Sequence, residues 1–237
     1  MLAVVYQRVC VLYNALSEAA RSRYLPMTAD LEFPWIAIDG CIGAGKTSLA
    51  RILAKAMNLD VEYERAREHP LLPDFYEAPL ETALQTELGF VLIHYHQISR
   101  VVARRRRGIV TDFTLAKDLL FGRMNLTGED LELFLSVYNH FVSLTKPPTF
   151  LIKLDASDEL LWQRVQFRDR PFERDMPRDY LSRLNREYND LAALCGAGRV
   201  LRLCSDDFDV VNNADDEERI VCQMAKAIGL VTPKTTD

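Results

Sequence analysis

The stretch GCIGAGKT at positions 40–47 fits the pattern G-x-x-x-x-G-K-[ST], which is typical of a phosphate-binding loop. Glycines in such a loop allow backbone angles that turn successive N–H groups inward around an oxyanion. Lys46 supplies a point charge for the outer phosphates, and the hydroxyl of Thr47 can ligate Mg²⁺. The pattern therefore predicts a site for the phosphates of a nucleoside triphosphate. The predicted phosphate-binding residues are Gly40, Cys41, Ile42, Gly43, Ala44, Gly45, Lys46, Thr47 and Ser48.

Two acidic residues end predicted strands that follow the loop. Glu64 ends an apolar run at 60–64, and Asp112 ends another at 108–112. In open α/β sheets the ligand crevice lies beyond the carboxyl ends of the strands, so both carboxylates can face the phosphates. One carboxylate can accept a proton from an attacking hydroxyl, and another can hold Mg²⁺ directly or through water.

Arginines cluster near the end of a predicted helix, in the segment RVQFRDR at 164–170. Arg164, Arg168 and Arg170 can close over the terminal phosphate as a mobile lid that excludes water. Their charges can stabilise a phosphoryl group during transfer. Together with the loop and the two carboxylates, they indicate phosphoryl transfer to a small acceptor.

Several absent patterns exclude other classes of nucleotide-binding protein. No N-K-x-D follows the loop, which argues against a guanine-specific switch. Phe113, rather than a second acid, follows Asp112, so the carboxylate pair of an ATPase motor is missing. The net charge is −5 and no basic or aromatic strip is present, so a nucleic-acid partner is not expected.

The elements that position these residues alternate short apolar runs with longer helical periods. This alternation predicts a doubly wound parallel α/β sheet of five strands with helices on both faces. The predicted strands cover 35–39, 60–64, 108–112, 149–155 and 199–203. The predicted helices cover 47–57, 81–106, 158–167, 178–194 and 215–228. A further helix is expected to begin at a capping box formed by Thr127 and Asp130. Its apolar face carries Leu131, Phe134, Leu135, Tyr138 and Phe141. The run RRRR at 104–107 is expected to end a helix.

The 237 residues are expected to form one large domain at 34–230, followed by a tail at 231–237. Residues 1–33 form an N-terminal extension whose role stays open between a transit peptide and an over-extended reading frame. Its apolar run is too short for a membrane span. The five cysteines are scattered without a CxxC pair, which favours a reduced cytoplasmic compartment.

Six segments together resemble the deoxyribonucleoside kinase family, and most of all its bacterial deoxyadenosine/deoxyguanosine kinase branch. The segments are IAIDGCIGAGKTSLA, YERAREHPLLPDFYE, LQTELGFVLIHYHQ, VTDFTLAKDLLF, RDRPFERDMPRDYL and DDFDVVNNADDEE. The resemblance runs from about residue 35 to 228. It implies a P-loop kinase with a lid that moves the γ-phosphate of ATP, with Mg²⁺, to the 5′-hydroxyl of a deoxynucleoside in nucleotide salvage. It also implies a homodimer and favours a purine base.

The resemblance also implies roles for single residues. Glu64 matches the carboxylate that contacts the 5′-hydroxyl and is the first choice as base. Asp112 matches the acid that opens the family's (D/E)-R-S motif, which serves Mg²⁺ and is the alternative base. Arg168 and Arg170 match the lid arginines.

Four further positions match residues that bind the nucleoside. Tyr76 and Glu173 match the pair that holds the sugar 3′-hydroxyl. Gln85 matches the glutamine that pairs with the edge of the nucleobase, and its amide offers both a donor and an acceptor. Asp118 lies where some members use an acid to select the base.

The sequence departs from the family pattern at two positions in the predicted substrate pocket. Phe113 replaces the arginine of (D/E)-R-S, and Lys117 is a candidate replacement for that cation. Gly122 lies where several relatives have a base-stacking aromatic residue. On a helix, Gly89 indicates a close approach by a ligand or by another element. His94 and His96 are expected to be structural, because two residues so spaced point to different sides.

Two alternatives remain at this stage. The first is a thymidylate-type nucleoside-monophosphate kinase, which shares the loop and the lid but needs a cationic site for the acceptor phosphate. The second is a non-catalytic, ATP-gated binding protein, which would bind ATP and phosphorylate nothing.

Overall fold

A five-stranded parallel sheet forms the centre of the protein. In the computed structural model, residues 24–26, 34–103, 108–174, 176–229 and 231–233 are described. The strands are β1 (Tyr24–Pro26), β2 (Trp35–Gly40), β3 (Asp60–Glu62), β4 (Ile109–Thr111), β5 (Phe150–Asp155), β6 (Val200–Cys204) and β7 (Val231–Pro233). The helices are α1 (Lys46–Met57), α2 (Leu72–Glu77), α3 (Pro79–Ala103), α4 (Leu115–Asn125), α5 (Gly128–Ser143), α6 (Asp158–Arg168), α7 (Arg178–Glu187), α8 (Leu191–Cys195) and α9 (Ala214–Ile228).

The strand order in the sheet is β3-β4-β2-β5-β6, with every neighbouring pair parallel. All six residues of β2 are buried, as expected for a central strand covered on both faces. The predicted five-stranded doubly wound α/β fold is confirmed. Because β2 lies between β4 and β5, the loop after β2 and the residue after β4 meet at one edge of the sheet.

Two apolar clusters stabilise this arrangement. The first joins the sheet to α1 and α9 and includes Ile36, Leu53 and Met224. The second joins α3, α4 and α5 and includes Val91, Leu119 and Phe134. The predicted apolar face of α5 is confirmed, since Phe134 and Tyr138 are buried and its other members pack against the second cluster. Helix α1, which follows the loop after β2, is thus held against the sheet by the first cluster.

Several element boundaries differ from the prediction. The helix predicted at 178–194 is interrupted by a 3₁₀ turn at Tyr188–Asp190, where Tyr188 is buried. Helices α2 and α4 were not predicted; α4 is buried on most sides, so it lacks an amphipathic period. Thr127 precedes α5, but its side chain makes no capping hydrogen bond, so the predicted capping box is wrong.

The chain ends are described only in part. Residues 24–26 pair antiparallel with residues 231–233, which joins part of the predicted N-terminal extension to the predicted tail. The predicted helix end at 104–107 lies outside the described residues. Within the described ranges, none of the helices has the length and apolarity needed to cross a membrane.

Replacement of Gly122 by alanine is expected to destabilise the fold. A Cβ at this position would lie 2.2 Å from Cε1 of the Phe134 ring, which is fully buried. Overpacking of this kind costs about 1–3 kcal/mol. Urea denaturation should therefore show a lower midpoint with an unchanged slope. Glu132→Ala, on the exposed side of α5, should change the midpoint little; an equal loss in both variants would contradict the packing explanation.

Candidate active site

The loop between β2 and α1 has the geometry of a phosphate-binding loop. Gly43 and Gly45 have φ values of 88° and 96°, which favour glycine. A Cβ at Gly40 would lie 2.5 Å from the backbone oxygen of Leu154, so the loop also needs a glycine where it passes β5. The Lys46 amine donates to the carbonyl oxygens of Gly40, at 2.7 Å, and of Cys41, at 3.1 Å. These contacts hold the amine beside the loop, at the N-terminus of α1.

Two residues, Ser205 after β6 and Arg164 on α6, support the loop from outside. The Ser205 hydroxyl donates to the Ala44 carbonyl at 2.7 Å. Arg164 Nη1 lies 3.3 Å from the same oxygen and 3.5 Å from the Gly43 carbonyl. Arg164 was predicted as a lid residue, but the structure places its guanidinium on the loop backbone.

Asp112 connects the loop to the acidic residue after β3. Its Oδ2 accepts a hydrogen bond from the Thr47 hydroxyl at 2.6 Å, and its Oδ1 accepts one from the Glu64 backbone N–H at 2.6 Å. The two predicted metal ligands therefore touch each other. Among the described residues, no group of three or more acidic, cysteine or histidine side chains could hold a metal ion. This pair fits Mg²⁺, which usually takes one or two protein oxygens and completes its shell with phosphates and water.

Glu64 lies in a buried cluster of charges. Lys117 Nζ pairs with Glu64 Oε1, and His94 Nε2 lies 3.3 Å from the same oxygen. Glu64 Oε2 makes no hydrogen bond to the residues that the structure describes. Burial alone would raise the pKa of Glu64, but Lys117 and then His94 outweigh it and hold the pKa well below its ordinary value. The Glu64 carboxylate is therefore ionised at neutral pH.

His94 links Glu64 to Asp118. Its ring is fully buried in α3, and its Nδ1 lies 2.8 Å from Asp118 Oδ1. Burial would lower the pKa of His94, but the charge and hydrogen bond of Asp118, followed by those of Glu64, raise it to about 9. The imidazole is therefore protonated at neutral pH, donates a hydrogen bond to Asp118 and lies in ion-pair contact with Glu64. His94 was expected to be a structural residue, and the structure places it between two predicted site residues.

The predicted lid arginines converge on one carboxylate. Arg168 makes a two-pronged contact with Glu173, with Nε at 2.7 Å and Nη2 at 2.6 Å, and Arg170 Nη1 lies 3.5 Å from Glu173. The Tyr76 hydroxyl is nearby: burial and then the charge of Glu173 raise its pKa. All four residues border the same cavity.

This cavity has a volume of about 490 Å³ and opens between the loop, α3, α4 and the lid. It brings together most of the predicted site residues. Those among its lining residues are Ile42, Lys46, Thr47, Glu64, Tyr76, Asp112, Asp118, Arg168, Arg170 and Glu173. A volume of this size suits a small organic ligand.

Comparison with known proteins identifies the chain's family. A family model described as deoxynucleoside kinase matches residues 36–229. The chain belongs to the deoxynucleoside kinase family. The deoxyguanosine kinase of Bacillus subtilis is 30% identical over 202 residues, which cover 82% of this chain and 98% of that protein. The deoxyadenosine kinase of Dictyostelium discoideum is 32% identical over 165 residues, which cover 68% of this chain and 67% of that protein.

Solved structures share the fold of this deoxynucleoside kinase. The deoxyadenosine kinase from M. mycoides with bound dATP aligns with a TM-score of 0.69 at 19% identity, over 81% of this chain and 98% of that chain. The structure of that kinase with bound dCTP aligns with a TM-score of 0.68. The predicted family, fold and enzyme class are confirmed.

One predicted substrate residue of the kinase is misplaced. Gln85 is exposed and does not border the cavity, so the structure does not support its predicted contact with the nucleobase. The cavity face of α3 carries Thr86, Glu87 and Phe90. At 100° per residue, Gln85 points about 150° away from the mean direction of these three.

The two departures from the family pattern also lie outside the cavity lining. Phe113 is fully buried, with its ring centroid 4.9 Å from that of His94. The space beside Gly122 is occupied by the ring of Phe134. Their predicted placement in the substrate pocket of the kinase is therefore wrong. The close approach predicted at Gly89 is made by the ring of His69, whose Nε2 would lie 2.2 Å from an added Cβ.

Sequence reasoning missed several cavity residues in the kinase, among them Thr86, Glu87, Phe90, Phe121 and Tyr180. A signal for part of this set was present. Thr86, Phe90 and His94 are spaced by four residues, and so they lie on one face of α3. Lys117 and Phe121 have the same spacing on α4, and both border the cavity.

Glu87→Gln is expected to stabilise the kinase progressively as the pH rises from 5 to 8. Burial raises the pKa of Glu87 to about 8, although a hydrogen bond from Asn125 opposes this. Between its ordinary pKa and 8, the unfolded chain releases a proton that the folded protein keeps, so unfolding becomes easier as pH rises. The gain of the variant over the wild type should grow by at most about 1.4 kcal/mol per pH unit. Parallel stability curves measured by denaturation from pH 5 to 8 would contradict this expectation.

Proposed function

We propose that this deoxynucleoside kinase binds ATP·Mg²⁺ on residues 40–48 and transfers the γ-phosphate to the 5′-hydroxyl of a deoxynucleoside in the adjoining cavity. The observation that carries the proposal is that a single cavity is bordered by Lys46, Glu64, Asp112 and Arg168. These groups supply a phosphate-binding cation, a proton acceptor, a metal ligand and a cation at the lid.

Glu64 is the favoured proton acceptor. Its carboxylate is ionised, and its Oε2 is available to a hydroxyl group, whereas both oxygens of Asp112 accept hydrogen bonds from Thr47 and the Glu64 backbone. This arrangement supports Asp112 as the residue that orients Mg²⁺ together with Thr47. Mg²⁺ supplies charge stabilisation between the outer phosphates when it is bound. Lys117 supplies the cation beside Glu64 that the family motif takes from an arginine.

The lid and the sugar-binding residues complete the proposed mechanism. Arg168 and Arg170 stabilise the charge on the transferred phosphoryl group and exclude water from the cavity. Tyr76 and Glu173 hold the sugar 3′-hydroxyl. Their proximity supports this role, since the charge of Glu173 acts on the Tyr76 hydroxyl. Glu173 also keeps the two arginines at the cavity rim.

We also propose a homodimer in the cytoplasm with no nucleic-acid partner. Leu92 on α3 and Leu133 on α5 are about half exposed, at 49% and 51%, and these helices pack side by side, which supports an apolar contact between two copies. The four cysteines among the described residues are unpaired, in keeping with a reducing compartment. The net charge of −5 disfavours a polyanionic partner.

The pairing of the cavity cations disfavours a nucleoside monophosphate as acceptor, because such an acceptor needs a cationic site for its phosphate. Lys117 is paired with Glu64, and Arg168 and Arg170 are paired with Glu173. A neutral nucleoside needs no such site. This arrangement favours a nucleoside kinase over the monophosphate kinase alternative.

Incubation with γ-labelled ATP, Mg²⁺ and a panel of deoxynucleosides and nucleoside monophosphates tests the proposal. We expect label on the 5′-oxygen of a deoxynucleoside and none on a monophosphate. Label on a monophosphate would contradict the proposal and favour the nucleoside-monophosphate kinase alternative. ATP binding without label on any acceptor would contradict the proposal and favour the non-catalytic, ATP-gated binding protein.

A further inference from the structure

The backbone that carries Glu64 leaves the sheet just before this residue. In the sheet that the structure describes, β3 is an edge strand beside β4, and it ends at Glu62. Tyr63 and Glu64 therefore lie beyond the ladder of strand hydrogen bonds, and other groups must hold their backbone polar atoms. Those groups determine where the Glu64 carboxylate lies.

Side chains hold both ends of the peptide unit between Tyr63 and Glu64. Gln97 Nε2 donates to the Tyr63 carbonyl oxygen at 2.9 Å. The Glu64 N–H of the same unit donates to Asp112 Oδ1 at 2.6 Å. In a planar trans peptide the carbonyl and the N–H point in opposite directions, so the two contacts fix the plane from opposite sides. Because Gln97 belongs to α3 and Asp112 follows β4, the packing of α3 on the sheet sets the position of Glu64.

The Gln97 amide is oriented by two acceptors. Gln97 is 4% exposed, and its Nε2 also donates to Glu62 Oε1 at 2.9 Å. A carbonyl and a carboxylate both accept, so the amide nitrogen must face them. The amide oxygen of Gln97 is buried and has no partner among the described residues. An apolar side chain would avoid the cost of that oxygen, so the two donated hydrogen bonds are what an amide supplies at this position.

The same face of α3 also contacts the Glu64 side chain. His94 and Gln97 are three residues apart and therefore lie on one helical face. His94 Nε2 lies 3.3 Å from Glu64 Oε1, while Gln97 holds the backbone immediately before Glu64. A proton acceptor must lie within hydrogen-bond reach of the hydroxyl that it serves. A misplacement of about 1 Å can cost about 100-fold in rate.

We propose that Gln97 is a positioning residue for phosphoryl transfer, which holds Glu64 at the 5′-hydroxyl by fixing the Tyr63–Glu64 peptide unit against α3. The proposal rests on the proposed function for the role of Glu64. Gln97 does not itself border the cavity, so it acts through Glu64 and not on the substrate.

Kinetics of Gln97→Met test this role, because methionine keeps the length and helix propensity of glutamine but removes the donor. We expect kcat to fall about 10- to 100-fold, with KM for ATP unchanged. The concentration of ATP-binding sites, measured by calorimetry, defines kcat, so unfolded molecules do not count. Gln97→Asn, whose amide is one methylene shorter, should give a similar loss. Gln223→Met, the same change at an exposed position of α9, should keep both parameters at wild-type values.

A double variant shows whether Gln97 acts through Glu64. In the Glu64→Gln background, Gln97→Met should lower kcat no further, because the positioned proton acceptor is already absent. A second loss as large as that in the wild-type background would place the action of Gln97 elsewhere and overturn the proposal.

Hydrogen exchange of the Glu64 amide, measured by NMR, tests the positioning without turnover. Exchange should be up to about tenfold faster in Gln97→Met, the value of one hydrogen bond, and unchanged in Gln223→Met. Transfer by the wild type with unchanged kcat or unchanged exchange in Gln97→Met would overturn the role of Gln97 and leave the proposed function standing. Absence of transfer by the wild type would refute the proposed function, whereas faster exchange in Gln97→Met would still support the hold of Gln97 on Glu64.

Discussion

Replacement of Glu64 by glutamine is expected to lower kcat by about 10²–10⁴-fold, the range that a positioned proton acceptor contributes. Glutamine keeps the shape of the side chain but cannot take the proton of the 5′-hydroxyl. ATP affinity should change little, because the loop contacts of Lys46 and Thr47 do not involve Glu64 directly. Steady-state kinetics with saturating ATP, together with ATP binding by calorimetry, measure the two effects.

The matched control for this variant is Glu217→Gln, an exposed change at the start of α9. It should leave both kcat and ATP binding at wild-type values. Unchanged turnover in Glu64→Gln would remove Glu64 from the mechanism. If Asp112→Asn then abolished turnover with ATP still bound, the proton acceptor would be Asp112.

Replacement of Lys117 by methionine is expected to lower kcat/KM by about 10²–10³-fold, the usual cost of losing one charge-stabilising group. The loss should be greater at pH 6 than at pH 8. Lys117 is the largest influence that holds the pKa of Glu64 down against burial, so its removal raises that pKa. The Glu64 carboxyl group is then protonated in a larger fraction of molecules at low pH, and the acid limb of the pH–rate profile shifts to higher pH.

Two further variants separate this electrostatic effect from a loss of structure. Removing one partner of a buried ion pair can cost about 3–5 kcal/mol of stability, so Lys117→Met must be shown to be folded by circular dichroism. Lys117→Arg keeps the positive charge and should restore the acid limb towards its wild-type position. Lys55→Met, an exposed change in the last turn of α1, should have no effect. An acid limb that stays in place in Lys117→Met would contradict the assigned role.

The parts of the site that follow from local sequence were predictable. The phosphate-binding loop depends on backbone angles at Gly43 and Gly45 and on a lysine at a fixed spacing, so its pattern carries its geometry. The central strands were predictable because burial on both faces requires continuous apolar runs, as in β2 and β5. Asp112 could be placed because it directly follows a short buried strand.

The parts that depend on the rotation of a helix or on contacts between distant residues were not predictable. Gln85 and Glu87 are two positions apart on α3, and only the packing of that helix decides which side chain enters the cavity. His94 gained its role from Asp118 and Glu64, which lie on other elements. Helix α4 was not predicted because it is buried on most sides, so its sequence lacks the alternation of apolar and polar residues with a helical period.

The position of Phe113 also depended on contacts that the sequence does not specify. The motif position suggests a side chain at the reacting phosphate, but the structure packs this ring against His94 in the second apolar cluster. The cation beside Glu64 comes instead from Lys117, in the first turn of α4. A motif alignment fixes the order of residues but not which of them provides the charge.

The most direct measurement is a crystal structure of the protein with a deoxynucleoside and a non-hydrolysable ATP analogue. We expect the 5′-oxygen about 2.6–3.2 Å from a carboxylate oxygen of Glu64. We also expect the terminal phosphate beside Lys46, in line with that oxygen. A Glu64 carboxyl group turned out of the cavity, with the 5′-hydroxyl on another group, would contradict the proposed mechanism.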